Sequence, residues 1–140
     1  MFAHRSSHKV RVTHVVGQLH TGGMERLLVE FARHADRARF DLRFLCLDAP
    51  GPVADDIAAC GWPVECFGAP HGLRPGLAVR LARAFARAGT DVVHTHNNRA
   101  HMYAGPAAAL SGLRPVVHTR HGQSVGSSRR HRFAFNLTTR

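Results

Sequence analysis

The sequence predicts an α/β fold, a doubly wound parallel sheet with strand order 3-2-1-4-5. Three observations lead there. Behind the polar start MFAHRSSHK, short apolar strand runs alternate with helical runs across short connections, the rhythm of βαβ units. Gly61 and Gly112 stand just past two of the helical runs, in the left-handed position that stops a helix, with Pro63 and Pro115 close behind. Polar residues gather where the first, fourth and fifth strands end, and a sheet of this Rossmann-like order has its crevice at that edge.

The first strand is read from Val10 to Val16, followed by the pair Gly22 and Gly23 and then a helix. Met24, Leu27, Leu28, Phe31, Ala32 and Ala35 recur at helical spacing, while Glu25, Glu30, Arg33 and Asp36 lie off that stripe. A strand-to-helix turn of this kind aims main-chain N–H groups and a helix N-terminus at a phosphate. The two glycines allow positive φ and let a ligand approach the backbone, although a glycine pair can also do no more than make the turn. The second strand runs from Phe40 to Leu47, a short helix from Val53 to Cys60, and the third strand from Pro63 to Phe67. A helix from Leu77 to Ala88 follows, with Arg80, Arg83 and Arg87 on one side and Leu77, Leu81, Ala84, Phe85 and Ala88 on the adjoining one. That layout suits a solvated outer face or a peripheral contact with the inner face of a membrane. The fourth strand is Asp91 to Thr95, the fourth helix lies around Ala100 to Ser111, and the fifth strand is Val116 to Thr119. Pro106 predicts a kink in that helix, or a restart with Pro106 in its first turn.

At 140 residues the chain fits one domain, residues 1–140, with enough length for a core but not for two α/β lobes. No charged start precedes an apolar segment, and no run of about 18 apolar residues occurs, so a soluble, cytoplasmic chain is expected. Cys46, Cys60 and Cys66 are odd in number and sit in apolar patterns, as buried reduced thiols do. The sequon at Asn136 carries little weight in such a chain. The formal charge is +10, with Lys9 the one lysine among 19 basic residues. This balance favours anionic partners such as nucleotides, phosphorylated lipids or acidic membrane surfaces. Nucleic acid is not expected: the arginines are dispersed apart from Arg129, Arg130 and Arg132, and no zinc-finger spacing or aromatic RNA-binding signature accompanies them.

The fourth strand ends in VVHTHNNR and the fifth in VVHTRHG. His94 and His96, two apart on a strand, face one side, and His96, Asn97 and Asn98 are expected to run on into a loop. His118 lies within the fifth strand, Arg120 and His121 follow it, and Gly122 frees the backbone to turn away. A metal site would draw on His94, His96, His118 and His121. No carboxylate or cysteine completes a familiar spacing, and half of these side chains are expected to point into the helix layers, so no metal is assigned. No G-x-S-x-G elbow marks a serine nucleophile, and no G-x-G-x-x-G follows the first strand. His94 and His118 read as hydrogen-bonded core histidines, and His121, at the mouth of the crevice, as a functional residue.

In their order and spacing, the GGMER loop, the DVVHTHN strand end, the small-residue helix closed by G-x-x-P and the VVHTRHG segment resemble the N-terminal domain of GT4-type glycosyltransferases of the GT-B fold. The resemblance runs from about Lys9 to Gly122. It implies two Rossmann-like lobes across a cleft, the N-terminal one binding mainly a glycan or lipid-linked acceptor and the C-terminal one a UDP- or GDP-sugar. It also implies retention at the anomeric carbon, no metal or other cofactor, and a departing nucleoside diphosphate held by main-chain amides and basic side chains. On this chain it places the amides of Gly22 and Gly23 at the donor diphosphate and His121 beside the reacting carbon as the catalytic residue. His96 and Asn97 then line the acceptor side, with Arg120 at an anionic group and Gly122 in the same substrate-binding turn. The family's paired glutamates and diphosphate-clamping Arg and Lys belong to the donor-binding lobe, which this stretch does not contain. The resemblance therefore implies that such a lobe is supplied in cis or in trans and that the chain is inactive alone. A non-catalytic binding module built on the same lobe is the competing expectation.

Overall fold

The computed structural model describes residues 8–69 and 71–122; the Arg129–Arg132 cluster and the Asn136 sequon lie outside the described residues. The elements are β1 (Val10–Val16), α1 (Gly23–His34), β2 (Phe40–Cys46), α2 (Pro52–Ala59), β3 (Val64–Cys66), α3 (Pro75–Ala88), β4 (Val92–His96), α4 (Asn97–Leu110) and β5 (Val116–Thr119). All neighbouring strands pair parallel, in the expected order β3-β2-β1-β4-β5.

Alternation along the strands divides the core between two helix layers. Val15, Leu45, Leu47 and Val93 pack on one face with Leu77, Leu81 and Phe85 of α3 and the buried alanines of α4. Val16, Leu42, Phe44 and Cys46 pack on the other with Leu28 of α1, Val53 and Ile57 of α2, and Trp62, whose Nε1 donates to the Ala32 carbonyl at 2.7 Å. Gly61 (φ 85°) and Gly112 (φ 67°) hold the left-handed positions expected after α2 and α4.

Two expectations change, and a third, at Pro106, loses one of its two alternatives. Helix α4 follows β4 with no loop, beginning at Asn97 instead of near Ala100, because Asn97 itself takes a left-handed conformation (φ 65°) and makes the turn in one residue. The same helix continues through Pro106 without restarting there. Pro106 is exposed, so the carbonyl its ring leaves without a donor can turn to water, while Ala100, Ala104, Ala107 and Ala108 hold the opposite side in the core. All three cysteines are free, but only Cys46 is buried; Cys60 and Cys66 are partly exposed, being at the end of α2 and on the edge strand β3. Burial pushes the Cys46 thiol up to about 12.

At the amino edge of the sheet, Arg11 binds Asp91 through its backbone N (2.8 Å), Nε (3.0 Å) and Nη2 (2.9 Å), tying the start of β1 to the start of β4. A groove of about 650 Å³ opens at this edge between the ends of α3 and α4, away from the polar strand ends. Among the described residues no helix is long and apolar enough to cross a membrane.

Candidate functional site

The site grows from β4, where alternation sends His94 and His96 to the α1 face and Thr95 to the other. His14, whose register partner in β4 is His94, joins them from β1. Its Nδ1 lies 3.0 Å from Nε2 of His96, and Nδ1 of His96 lies 3.0 Å from Nε2 of His121, just past β5. His94 leans against the His96 ring at 4.2 Å between centroids and bonds through Nε2 to the Thr119 hydroxyl at 2.8 Å. Asn97 completes the junction. Its Oδ1 accepts from the His121 backbone N–H at 2.8 Å, and its Nδ2 lies 3.2 Å from Met24 Sδ in the first turn of α1. One side chain in left-handed backbone thus links the helix after the glycine pair to the segment after β5.

Burial controls the charge of this group. His14 is 1 % and His96 4 % exposed. Burial, helped by the neighbouring imidazoles, brings His14 down to about 3 and His96 to about 2, and it lowers His94 as well. These rings are therefore neutral at physiological pH, offering one N–H and one lone pair each.

The glycine pair differs from expectation. Gly22 is extended (φ −174°) and Gly23 is helical, so neither uses positive φ. What lies against Gly22 is the Glu25 carboxylate: a Cβ there would stand 2.3 Å from Glu25 Oε2, so a side chain at this position would have to push that carboxylate aside. The Glu25 side chain, 6 % exposed, folds back over the first turn of α1, the end of a helix that favours negative charge. A phosphate approaching the start of α1 meets that carboxylate. Two further residues at this edge went unsingled in the sequence, Asp48 and Arg99. Arg99, in the first turn of α4, pairs with Asp48 after β2 and also donates to the carbonyls of Gly17 (3.3 Å) and Ala69 (3.2 Å), gathering the ends of β1 and β2.

His118 does not join the crevice group. As the register partner of Thr95 it faces α4, where the Thr95 hydroxyl lies 2.8 Å from His118 Nδ1 and 3.0 Å from His101 Nδ1. The four-histidine set weighed for a metal is thus split by the sheet. The trio His14, His94 and His96 instead brings one ring nitrogen each to within 4.8 Å of the others, a donor set of the transition-metal type. Both nitrogens of His96 already face imidazole partners, so an ion there would have to break those contacts. Of the remaining expected residues, Arg120 is exposed and Gly122, also exposed, adopts φ 72° with open space where a Cβ would be. On α3, Arg80 donates to the Phe67 carbonyl at 3.3 Å and covers its ring, and Arg87 pairs with Glu65 at 3.2 Å.

Residues 21–140 match the model of Glycosyltransferase Family 4. Over 131 residues the chain is 26% identical to the UDP-Gal:alpha-D-GlcNAc-diphosphoundecaprenol alpha-1,3-galactosyltransferase of Escherichia coli, an alignment covering 90% of this chain and 34% of that protein. The chain thus spans about a third of that relative's length. The family match takes in the glycine pair and the strands β4 and β5 with their histidines, and on that basis the chain belongs to Glycosyltransferase Family 4.

Proposed function

We propose that the chain is the N-terminal, acceptor-binding lobe of a retaining glycosyltransferase that moves a sugar from a UDP- or GDP-sugar to a glycan or lipid-linked acceptor. The observation carrying this reading is the junction at Asn97, which draws His121, His96 and the helix behind Gly22 and Gly23 to one crevice in a chain of this family. A donor-binding lobe, in cis or in trans, brings the nucleotide sugar to that crevice. His121 meets the donor sugar near the reacting carbon, orienting it and helping to stabilise developing charge. The amides of Gly22 and Gly23 meet the diphosphate, Glu25 swinging aside, and Asn97, Arg120 and Gly122 shape the acceptor side with the buried His96 behind them. No metal enters the reaction.

The galactosyltransferase relative is named for a diphosphoundecaprenol-linked acceptor, which supports a lipid-linked acceptor presented at the cytoplasmic membrane face. Direct lipid contact through α3 is the weaker part of this reading, since Arg80 and Arg87 are already turned onto Phe67 and Glu65.

Calorimetry tests the division of labour. The 140-residue chain alone should bind UDP- and GDP-sugars very weakly and transfer nothing, and adding the donor-binding lobe should restore both. Micromolar affinity of the chain alone for any nucleotide sugar would sink the proposal.

A further inference from the structure

The geometry points to a tautomeric lock: His14 and His96 are positioning residues that hold His121 with its ring proton on Nδ1. This inference rests on the proposed contact between His121 and the donor. The rings of His14 and His96 have centroids 5.3 Å apart and planes within 23°; for His96 and His121 the values are 5.3 Å and 19°. With facing nitrogens 3.0 Å apart in both pairs, such separations describe rings set end to end, nitrogen aimed at nitrogen, instead of stacked faces.

Proton counting then leaves two patterns. A neutral imidazole has one N–H, so His96 cannot donate to both neighbours or accept from both. With one ring proton on each member, either protons sit on Nδ1 of His14, His96 and His121, each of the first two donating toward the crevice, or all three sit on Nε2 and the direction reverses. Buried, neutral His14 decides between them. Its Nε2 has no hydrogen-bond partner among the described residues, and its ring packs between Phe31 and Phe44. The reversed pattern buries an orphaned N–H at that atom, whereas the first leaves only a bare lone pair, and orphaned buried N–H groups are the rarer of the two in folded proteins. The chain therefore runs from His14 to His96 to His121, and it occupies the His121 Nε2 lone pair. His121 is left to act through Nδ1–H, as a hydrogen-bond donor to a sugar or phosphate oxygen and not as a base. His14 touches no substrate and acts only through His96.

Long-range proton–nitrogen correlation NMR on the labelled 140-residue chain at neutral pH reads each ring's tautomer directly. His14, His96 and His121 should all be in the Nδ1–H form. In His14→Phe, which keeps a flat ring beside Phe31 and Phe44, His96 loses its donor and the His121 signals should move to a mixture of tautomers. An Nε2–H or mixed His121 in the wild type overturns the lock, as does an unchanged His121 in a folded His14→Phe. If that variant does not fold, the wild-type spectrum still decides. In the two-lobed enzyme, His14→Phe should lower kcat about tenfold at nearly constant KM, the size typical of losing an orienting partner. An Nδ1–H His121 whose replacement by alanine leaves turnover intact would instead remove the proposed donor contact while the lock stands.

Discussion

Two histidine groups occupy opposite faces of the sheet, and they solve the burial of imidazole differently. On the α4 face, His101 and His118 both meet one hydroxyl, that of Thr95. On the α1 face, the ring nitrogens of His14, His96 and His121 face one another in a row. A hydroxyl rotates and can donate to one neighbour while accepting from the other, so Thr95 serves both rings without fixing a direction. An imidazole that accepts on one nitrogen must donate from the other. The α1-face group is therefore directional, and its direction ends at the partly exposed His121. The first arrangement is suited to packing, and the second carries information from the core to the crevice.

Acid should separate the two groups most strongly. Histidines that are neutral when buried, with folded values well below the ordinary 6.5, stabilise the fold fully above that pH. As pH falls below 6.5 the unfolded chain takes up protons first, and stability is lost until the folded values, about 3 for His14 and about 2 for His96, are reached. Each contributes about 1.4 kcal/mol per pH unit within that window. His118 is lowered only to about 4, by burial and then by His101, so its share fades sooner. Urea midpoints measured in half-unit pH steps should fall steeply below pH 6.5, and His14→Phe should flatten the fall throughout, His118→Phe only above about pH 4. A slope untouched by His14→Phe but abolished by His118→Phe would invert the comparison.

The next largest contrast is between rate and stability. In an assembly containing the donor-binding lobe, His121→Ala should lower kcat about a hundredfold, roughly 3 kcal/mol of transition-state stabilisation. Removing this side chain, which lies just past β5, should cost under about 1 kcal/mol of stability. His118→Ala, which deprives Thr95 of a partner, should show the opposite balance: about 1–3 kcal/mol of stability and kcat within a few-fold of wild type. Turnover preserved in His121→Ala but abolished in a folded His118→Ala would place the catalytic histidine on the wrong face.

Much of this architecture was legible because it depends on local signals. Strand order followed from βαβ rhythm, and the helix stops from Gly61 and Gly112, whose left-handed angles glycine alone takes cheaply. His121 was singled out by standing just past a strand instead of within it. The membership of the histidine groups was not legible. His14 lies in an apolar strand with nothing nearby to mark it, and its partners His94 and His96 come 80 residues later, brought alongside only by β1–β4 register. The placement of His118 opposite Thr95 likewise depends on a register that no turn residue announces. Gly22 was read through φ, whereas it is extended with the Glu25 carboxylate folded against it, and the missing β4–α4 loop reflects an Asn taking a conformation more often given to Gly. Short-range rules identify elements; the site is made where distant elements choose their neighbours.

The finest test of independence between the faces is Thr95, which is fully buried and adjacent in sequence to His96. Thr95→Val keeps the volume and the β-branch but removes the hydroxyl shared by His101 and His118. Losing one buried polar partner should cost about 1–2 kcal/mol, read as a drop in the urea midpoint at pH 7.5, and Thr95→Ser should recover most of it. Because Thr95 and His96 point to opposite sides of β4, the substitution should leave the α1-face chain in place and kcat of the two-lobed enzyme within about twofold of wild type. If Thr95→Val instead lowers kcat tenfold or more while the domain stays folded, and Thr95→Ser restores it, the two groups communicate through β4. The contrast between a local packing cluster and a directional chain would then have to give way to a single network spanning the sheet.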